Sequence, residues 1–591
     1  MYIGGKTFNR EDKFRFLFIC ALIYLLHIVS AIICKRFYYA DGAFFLARLI
    51  NNQHSILPFS NDSSVLRISC NLLNQLPTII CLKLGITNIN ILNLAFGAPL
   101  FFNAIIGFSL CWNKCRKIEN GTKLLLFPIA AYAFFCIPSD IFAINQAFTA
   151  YWIYFILYFH IIADNKKLID KLFLYVLLVI ASCSHESFLV VGPLLFAIVF
   201  LEYRRSCSKN KKTELCVSGM GLFIGIGINI FYIHTHTAVT GSSYFSGLLA
   251  FFQDGNLFKS NILISVLGLA LVILGMSKKM NHAWIWFGTF VVGIIYIIAV
   301  HYYQDIYSPF AEYMCRSLIT IGIFGGILLA YAYYRLCDLS VVKKICIGNW
   351  WSVTVVVFML QCIWQFGNTY AWNQYINELT TEIQTHRGIY ETKTQDNAFS
   401  WVWIQPSISL LLSDNYNIKC LIDAQEISYR SYVEDNALWI PFMWVDPSVY
   451  EISELIKYEE QPVTTIEDCK DIVLQCNIEN ISDSSGTITF PTYIQNNSEH
   501  ILRSGDLFAS YHIYDSNGLA IWDGIRTEIE QDILPGECFN IDIIVEYGEQ
   551  LSPGDYLIEL DLVKENQYWF NDQGMTSSQI DFCYMPGEAQ K

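Results

Sequence analysis

Charged residues are scarce in this sequence, and the short motifs of the common soluble enzyme classes are missing. Charged residues make up 15% of the 591 residues, against about 25% in soluble proteins. There is no phosphate-binding Gly-Lys loop, no Gly-x-Ser-x-Gly nucleophile elbow and no dinucleotide fingerprint. Cys-x-x-Cys pairs and zinc-type Cys/His spacings are also missing. We therefore expect no cofactor, and no divalent metal is indicated.

The charges that are present divide the chain into two parts. Residues 368–591 hold 10 Lys and Arg against 37 Asp and Glu, a net charge of −27, whereas residues 1–367 carry +13. An acidic region of this kind is a poor partner for nucleic acid, so we expect no nucleic-acid binding. The acidic region is compatible with a position in water and with neutral polymers or cations as partners.

Long apolar runs fill the first 366 residues. We predict about eleven transmembrane helices, although several runs are shorter than the ~20 residues that a span needs. The first run, Phe14–Cys34, is too long for the apolar part of a cleaved signal peptide, so we expect a membrane anchor there. The predicted spans are residues 14–34, 91–112, 124–137, 148–163, 171–183, 187–202, 215–233, 260–276, 283–300, 317–334 and 345–366.

The loops between these spans alternate in charge. One set holds nearly all the Lys and Arg, whereas the other contains Lys259 as its one basic residue. The second set comprises residues 138–147, 184–186, 234–259 and 301–315. By the positive-inside rule the basic loops and the N-terminus are cytoplasmic. Eleven crossings then place the acidic C-terminal region on the outer face.

A long external loop at 35–90 follows the first span. It contains Tyr38-Tyr39-Ala40-Asp41-Gly42 and then two amphipathic stretches, Ala43–Asn52 and Val65–Leu84. Their apolar residues recur at helical spacing, which is typical of helices that lie on a membrane surface.

The pattern changes after residue 366. Residues 367–464 begin as a polar helix and continue as a mixed segment with no assigned fold. Residues 465–591 contain about eight short alternating strands separated by turn signals such as Pro535-Gly536, which is typical of a β-sandwich. We therefore predict a multi-span α-helical membrane domain at 1–366, a helix and mixed linker at 367–464, and an external all-β sandwich at 465–591.

Two resemblances point to a glycan context. The segments Phe508–Gly518, Leu534–Glu537 and Pro553–Phe570 resemble an immunoglobulin-like domain of bacterial polysaccharide-biosynthesis proteins, including the carbohydrate-binding domain of O-antigen exporters. The membrane half resembles the GT-C class of integral-membrane glycosyltransferases in its many spans, its long first external loop and the acidic residue after the first span. That class often has two acidic residues at this point, whereas here Gly42 follows Asp41.

These resemblances imply an enzyme, a glycosyltransferase. It would move a sugar from a polyprenyl-phosphate donor onto a surface polysaccharide or lipid-linked glycan, at the periplasmic face of a bacterial inner membrane. Its partners would be the lipid-linked sugar, a glycan acceptor and membrane lipid. The alternatives are a polymerase or ligase of lipid-linked glycans, and a non-catalytic membrane protein that binds or exports glycan. Ionisable residues cluster at the outer ends of the spans rather than near their midpoints, which favours surface chemistry over transport.

Asp41 is the first candidate for a catalytic residue. Sugar transfer needs a carboxylate that takes the proton of the acceptor hydroxyl as the new bond forms. Arg48 follows seven residues later, on the same face if this stretch is helical, and would bind the donor phosphate. The alternative role for Asp41 is a helix cap.

Further substrate-binding candidates lie in the other external loops. His185 and Glu186 form a titratable pair at a membrane boundary, which is costly unless it faces a wet cavity or a partner. Asp140 follows a Pro-Ser turn and has helix capping as its alternative. Arg316 would bind lipid phosphate or extend to the interface.

Five residues, four aromatic and one acidic, complete the candidates. Tyr302, Tyr303 and Glu312 belong to the last external loop within the membrane half and would bind substrate. In the β region, Trp569 and Phe570 are candidates for a carbohydrate platform. Their alternative role is packing in the core, since aromatic side chains are usually buried.

Overall fold

A computed structural model describes residues 10–60, 66–235, 309–336 and 347–584, together with two short strands, β1 (Tyr2–Ile3) and β2 (Lys6–Thr7). Within these ranges the description excludes residues 119–120, 138–139, 141–142, 166, 393–396, 398, 424–429, 461–462, 478–481, 485, 505–506, 517, 522, 548–550 and 566. The predicted spans 260–276 and 283–300 lie outside the described residues.

Helices make up nearly all of the described part of the first 385 residues. They are α1 (Arg10–Ile33), α2 (Asp41–Asn51), α3 (Ile68–Lys83), α4 (Ile89–Cys115), α5 (Gly121–Leu124), α6 (Leu126–Ala131), α7 (Ala147–Ile162), α8 (Leu168–Ser182), α9 (Phe188–Arg205), α10 (Lys209–Thr235), α11 (Pro309–Leu336) and α12 (Ile347–Thr385). A π-helical turn, Tyr132–Cys136, follows α6.

The prediction of about eleven transmembrane helices is wrong. Within the described residues, three helices are long and apolar enough to cross a membrane: α4, α10 and the Ile319–Leu336 part of α11. Among the other predicted spans, α7 and α8 have 16 and 15 residues, short of the ~20 that a crossing needs. All residues of α7 are buried, so its apolar run belongs to a protein core. The three long helices indicate a membrane protein.

Helix α2 is enclosed by the rest of the protein. Nine of its eleven residues are buried, and it shares one hydrophobic core with residues from 399 to 456. The hydroxyl of Tyr450 donates a hydrogen bond to the carbonyl oxygen of Ala47 at 3.1 Å. The expectation that the apolar face of Ala43–Asn52 lies on a membrane surface is therefore wrong, because the mixed segment of the sequence covers that face.

That mixed segment folds into a small α/β unit. It pairs β3 (Gly388–Glu391) in parallel with β4 (Cys420–Asp423). A three-stranded antiparallel sheet follows, made of β5 (Tyr432–Glu434), β6 (Ala437–Ile440) and β7 (Met443–Trp444). Two short helices, Gln405–Leu412 and Ser453–Glu459, complete the unit.

Residues 472–584 form two antiparallel sheets that share one hydrophobic core. The first sheet contains β8 (Ile472–Cys476), β9 (Ser482–Ser484), β10 (Thr487–Asn496) and β14 (Cys538–Glu546). The second contains β11 (Leu507–Asp515), β12 (Gly518–Ile521), β13 (Thr527–Glu528), β15 (Gly554–Lys564), β16 (Tyr568–Trp569) and β17 (Gln579–Tyr584). Eight of these strands overlap the eight segments expected from alternation.

Candidate functional site

Described residues of the loop 138–147 lie close to three of the predicted acidic residues, Asp41, Asp140 and Glu186. Asp140 belongs to this loop. Ile144 lies against Gly42, because a β-carbon placed on that glycine would be 3.7 Å from Ile144 Cβ, and Asp41 precedes the glycine. Gln146 accepts a hydrogen bond from Arg67, which also binds Glu186. These contacts lie at the end of the helical region that meets the α/β unit, here termed the site end.

Asp140 sits in a buried polar cluster. Its Oδ2 atom is 2.6 Å from His27 Nε2 and 3.8 Å from Arg36 Nη1. Arg36 is fully buried and donates hydrogen bonds at 3.1 Å to Gln365 and Thr369 of α12. A buried carboxylate needs charge and hydrogen-bond partners of this kind. The cluster therefore ties the loop to α1 and α12.

Glu186 is bound by Arg67 through two nitrogen atoms. The Arg67 Nε to Glu186 Oε2 distance is 2.9 Å, and Nη2 contacts the other carboxylate oxygen. His185 is fully buried, with Nδ1 2.9 Å from Ser187 Oγ and Nε2 3.7 Å from Glu186 Oε2. Two-point binding fixes the orientation of the carboxylate as well as its charge. The structure thus places His185 and Glu186 together, with Arg67 as a partner that the sequence did not reveal.

Helix α3 buries a row of polar residues and exposes a row of large apolar residues. Asn71, Asn74 and Gln75 are buried; Asn71 accepts from Gln146 at 3.0 Å and Asn74 from Thr149 at 2.9 Å. The exposed row of large apolar residues is Ile68, Leu72, Leu76, Ile80 and Leu84. A helix in water shows the opposite arrangement. An exposed apolar row suits contact with lipid, and the polar row faces the site. That Val65–Leu84 lies on a membrane surface stays a prediction.

That polar row is the main feature that sequence reasoning missed. The four buried positions Arg67, Asn71, Asn74 and Gln75 correspond to i, i+4, i+7 and i+8, the spacing of one helix face. The signal was present in the sequence, but the prediction for this stretch was based on its apolar residues. Helical spacing of polar residues within an apolar segment would have found them.

Asp41 and Arg48 lie two turns apart on one face of α2, and both are half-buried. Ala40, just before the helix, has φ +55° and ψ −136°, a conformation that costs a residue with a β-carbon about 1–3 kcal/mol. The guanidinium carbon of Arg48 is 5.7 Å from the centre of the Phe44 ring. Strained backbone next to a carboxylate is typical of functional sites.

The glycine after Asp41 has a structural cause. A β-carbon at Gly42 would lie 1.6 Å from the carbonyl oxygen of Phe37. No second acidic side chain fits there in this backbone arrangement. The departure from the two-acid pattern of the GT-C class therefore follows from the tight approach of the chain at the start of α2.

Four predicted residues are not placed relative to this site. Tyr302 and Tyr303 lie outside the described residues. Glu312 and Arg316 belong to the first turns of α11, and at these two positions the description covers the backbone alone. Their proposed contacts with substrate remain predictions.

The two aromatic residues proposed as a carbohydrate platform are both engaged within the β region. Phe570 is 1% exposed and belongs to the shared core, so the expectation that it stacks on sugar is wrong. Trp569 is half-buried: its ring centre is 4.3 Å from that of His512 and 4.9 Å from the guanidinium carbon of Arg526. Core and edge packing account for these two side chains.

Comparison with known proteins identifies no family for this chain. No family model matches it, and no curated protein matches it. The resemblances to GT-C glycosyltransferases and to immunoglobulin-like domains remain predictions from sequence.

Proposed function

We propose that the protein is a membrane glycosyltransferase that moves a sugar from a polyprenyl-phosphate donor onto a glycan acceptor. The observation that carries this proposal is that Asp41 and Arg48 lie on one face of α2, beside the loop 138–147. The carboxylate would take the proton of the acceptor hydroxyl as the glycosidic bond forms. The guanidinium would bind the phosphate of the departing lipid.

The other two carboxylates serve to position the loop. Arg67 already occupies the oxygens of Glu186, and His27 with Arg36 occupies Asp140. Groups bound in this way hold a chain segment in place, and substrate would have to displace their partners. Asp41 is the preferred base because it shares a face of α2 with Arg48 and follows the strained backbone at Ala40.

An apolar cavity supports a lipid-linked donor. It has a volume of about 220 Å³ and opens among the middle sections of α1, α4, α7 and α12. Its lining residues are Tyr24, Ala104, Ile105, Phe108, Ile129, Tyr132, Trp152 and Phe358. A pocket with this lining suits a hydrocarbon chain rather than a nucleotide.

We assign the site to the periplasmic face of a bacterial inner membrane, with the N-terminus in the cytoplasm. The support comes from the opposite end of the helical region, here termed the far end. Basic side chains collect there: Lys114 pairs with Asp170 at 3.3 Å, and Lys211 with Glu214 at 2.6 Å. By the positive-inside rule, a basic end is the cytoplasmic one.

The test is Asp41→Asn, measured as transfer of labelled sugar from a polyprenyl-phosphate donor in membranes and normalised to protein level. Asn is nearly isosteric and caps helices about as well as Asp, so the fold should persist. Loss of a general base lowers the rate by about 10²–10⁴-fold. Asp414→Asn is the matched control, because Asp414 begins a short helical turn on the exposed surface. Near-normal transfer by Asp41→Asn would remove Asp41 from the mechanism.

A further inference from the structure

Four large apolar side chains are exposed on two adjoining turns beside α2. Ile56 and Leu57 lie in the turn after α2, and Phe442 and Trp444 lie at the β6–β7 turn; the exposed fractions of Ile56 and Phe442 are 99% and 70%. The Asn51 side chain joins the turns, because its Nδ2 donates to the Trp444 carbonyl oxygen at 3.0 Å. These four residues are termed the apolar patch.

Phe442 is presented outward by a strained turn. Its φ is +64°, an outlier for a bulky residue, at a cost of about 1–3 kcal/mol. Its ring centre is 5.7 Å from that of Trp403 and 6.5 Å from that of Phe44, yet most of the ring is exposed. A strained turn therefore holds a large apolar ring at the surface of the protein.

The patch continues the exposed apolar row of α3. Lys83, the last residue of α3, donates to the carbonyl oxygen of Gln53 at 3.2 Å and to that of Ser55. The turn that carries Ile56 is therefore tied to the end of α3 where the exposed Ile80 lies. A lipid layer that covers the row on α3 reaches this turn next, and then the β6–β7 turn.

Arg48 lies beside the patch. Phe44, Arg48 and Asn51 share one face of α2, and their neighbours on that side include Phe442 and Trp444. Aromatic rings at headgroup level, with basic side chains that extend to phosphate, are the composition of a membrane interface. A glycan surface would not need Ile56 and Leu57, which offer no hydrogen bonds to sugar hydroxyls.

We propose that the apolar patch docks into the headgroup layer of the phospholipid membrane on the side of the α/β unit, with Arg48 at the level of the lipid phosphates. The docking anchors the α/β unit and α2 to the bilayer. If the proposed function also holds, it sets Asp41 at the depth of the donor phosphate.

Photo-crosslinking tests the docking without any measurement of sugar transfer. The full chain, with p-benzoylphenylalanine at position 442 or 56, is placed in lipid nanodiscs that contain radiolabelled phosphatidylethanolamine and phosphatidylglycerol. Position 544 is the control, because Ile544 is an exposed apolar residue of the β region. We expect lipid adducts at positions 442 and 56, and no lipid adducts at position 544.

Position 56 is the second labelling site in case replacement at position 442 disturbs the strained turn. The Ile56 side chain is almost fully exposed, so its replacement disturbs no packing. Adducts at 56 and 442 with a second copy of the chain or with a co-purified glycan, in place of lipid, would overturn the proposal. Equal lipid labelling at 544 would overturn it as well. Neither result bears on Asp41, so this proposal and the proposed function fail separately.

Discussion

Lys211 closes a helix end at the far end of the helical region, whereas Arg67 at the site end binds a carboxylate beside a loop. Lys211 donates to the carbonyl oxygen of Ile161 at 2.9 Å and to Glu214 at 2.6 Å, which caps the end of α7. Arg67 instead binds Glu186 and Gln146, on separate elements.

This difference distinguishes polar pairs that stabilise the fold from pairs that hold a site in a fixed geometry. Lysine is a compact charge on a flexible stem, and it tolerates variation in the geometry of its partner. Arginine has a planar group that sets both the distance and the orientation of a carboxylate. Arg67 therefore fixes the geometry around one loop at the site end. At the far end Lys211 closes a helix terminus, and Arg335 joins α11 to α9 through Glu202.

Arg67→Leu should have the largest effect. It leaves the Glu186 carboxylate without its main partner, and breaking a buried pair in this way costs about 3–5 kcal/mol. A thermal unfolding midpoint in detergent should fall clearly. The double variant Arg67→Leu/Glu186→Leu should recover much of the loss, because no lone charge remains. If the double variant is no more stable than the single one, the pair is not the source of the effect.

Lys114→Met tests the far end. Lys114 contacts Asn165 and lies 3.3 Å from Asp170. Its loss leaves the buried Asn165 Oδ1 atom without this donor, at a cost of about 1–3 kcal/mol, whereas Asp170 keeps Lys117 at 3.5 Å. Sugar transfer per folded molecule should stay unchanged, because no contact at the far end reaches the loop 138–147. A large fall in transfer at normal protein level would erase the distinction between the two ends.

Arg48→Gln should weaken donor binding more than it slows the chemical step. Hydrogen bonds to a charged group contribute about 1.5–3 kcal/mol, so the KM for the donor should rise about tenfold or more. Arg48→Lys keeps the charge and should show a smaller rise. Initial rates over a range of donor concentration separate KM from kcat, and a fall in kcat alone would argue against a phosphate role.

The smallest effect is expected at the Asp468–His500 pair of the acidic β region, which is only partly buried. Burial works against the charge of Asp468, but hydrogen bonds from His500 and Thr465 hold the pKa of its carboxyl below the usual value. Its contribution to stability is then complete above the unfolded pKa of about 3.9. It is lost as the pH falls through the lower folded pKa.

The expected size is about 0.2–1 kcal/mol, typical of a surface pair. Hydrogen exchange of β8 in the full chain, corrected for the intrinsic rate, should show less protection in Asp468→Asn than in the wild type at neutral pH. The two should become equal near pH 2. A difference that persists at low pH would assign the effect to packing instead of charge.

Local features of the candidate site were predictable from sequence, and its partners were not. The helix at Asp41 and its shared face with Arg48 follow from spacing along eleven residues. The partner of Glu186 is 119 residues away in the chain, and that of Asp140 is 113 residues away. Spacing in sequence carries no information about such contacts, because the packing of helices brings them together.

Sequence by itself determined where helices and strands form and which region is acidic, since side-chain periodicity and charge are local properties. Tertiary structure alone decided which apolar helix faces are exposed and which are buried in protein. Helix α7 and the row on α3 are both apolar, but the first is buried on every side and the second is exposed. An apolar run is equally stable in a lipid layer and in a protein core, so only its surroundings distinguish the two.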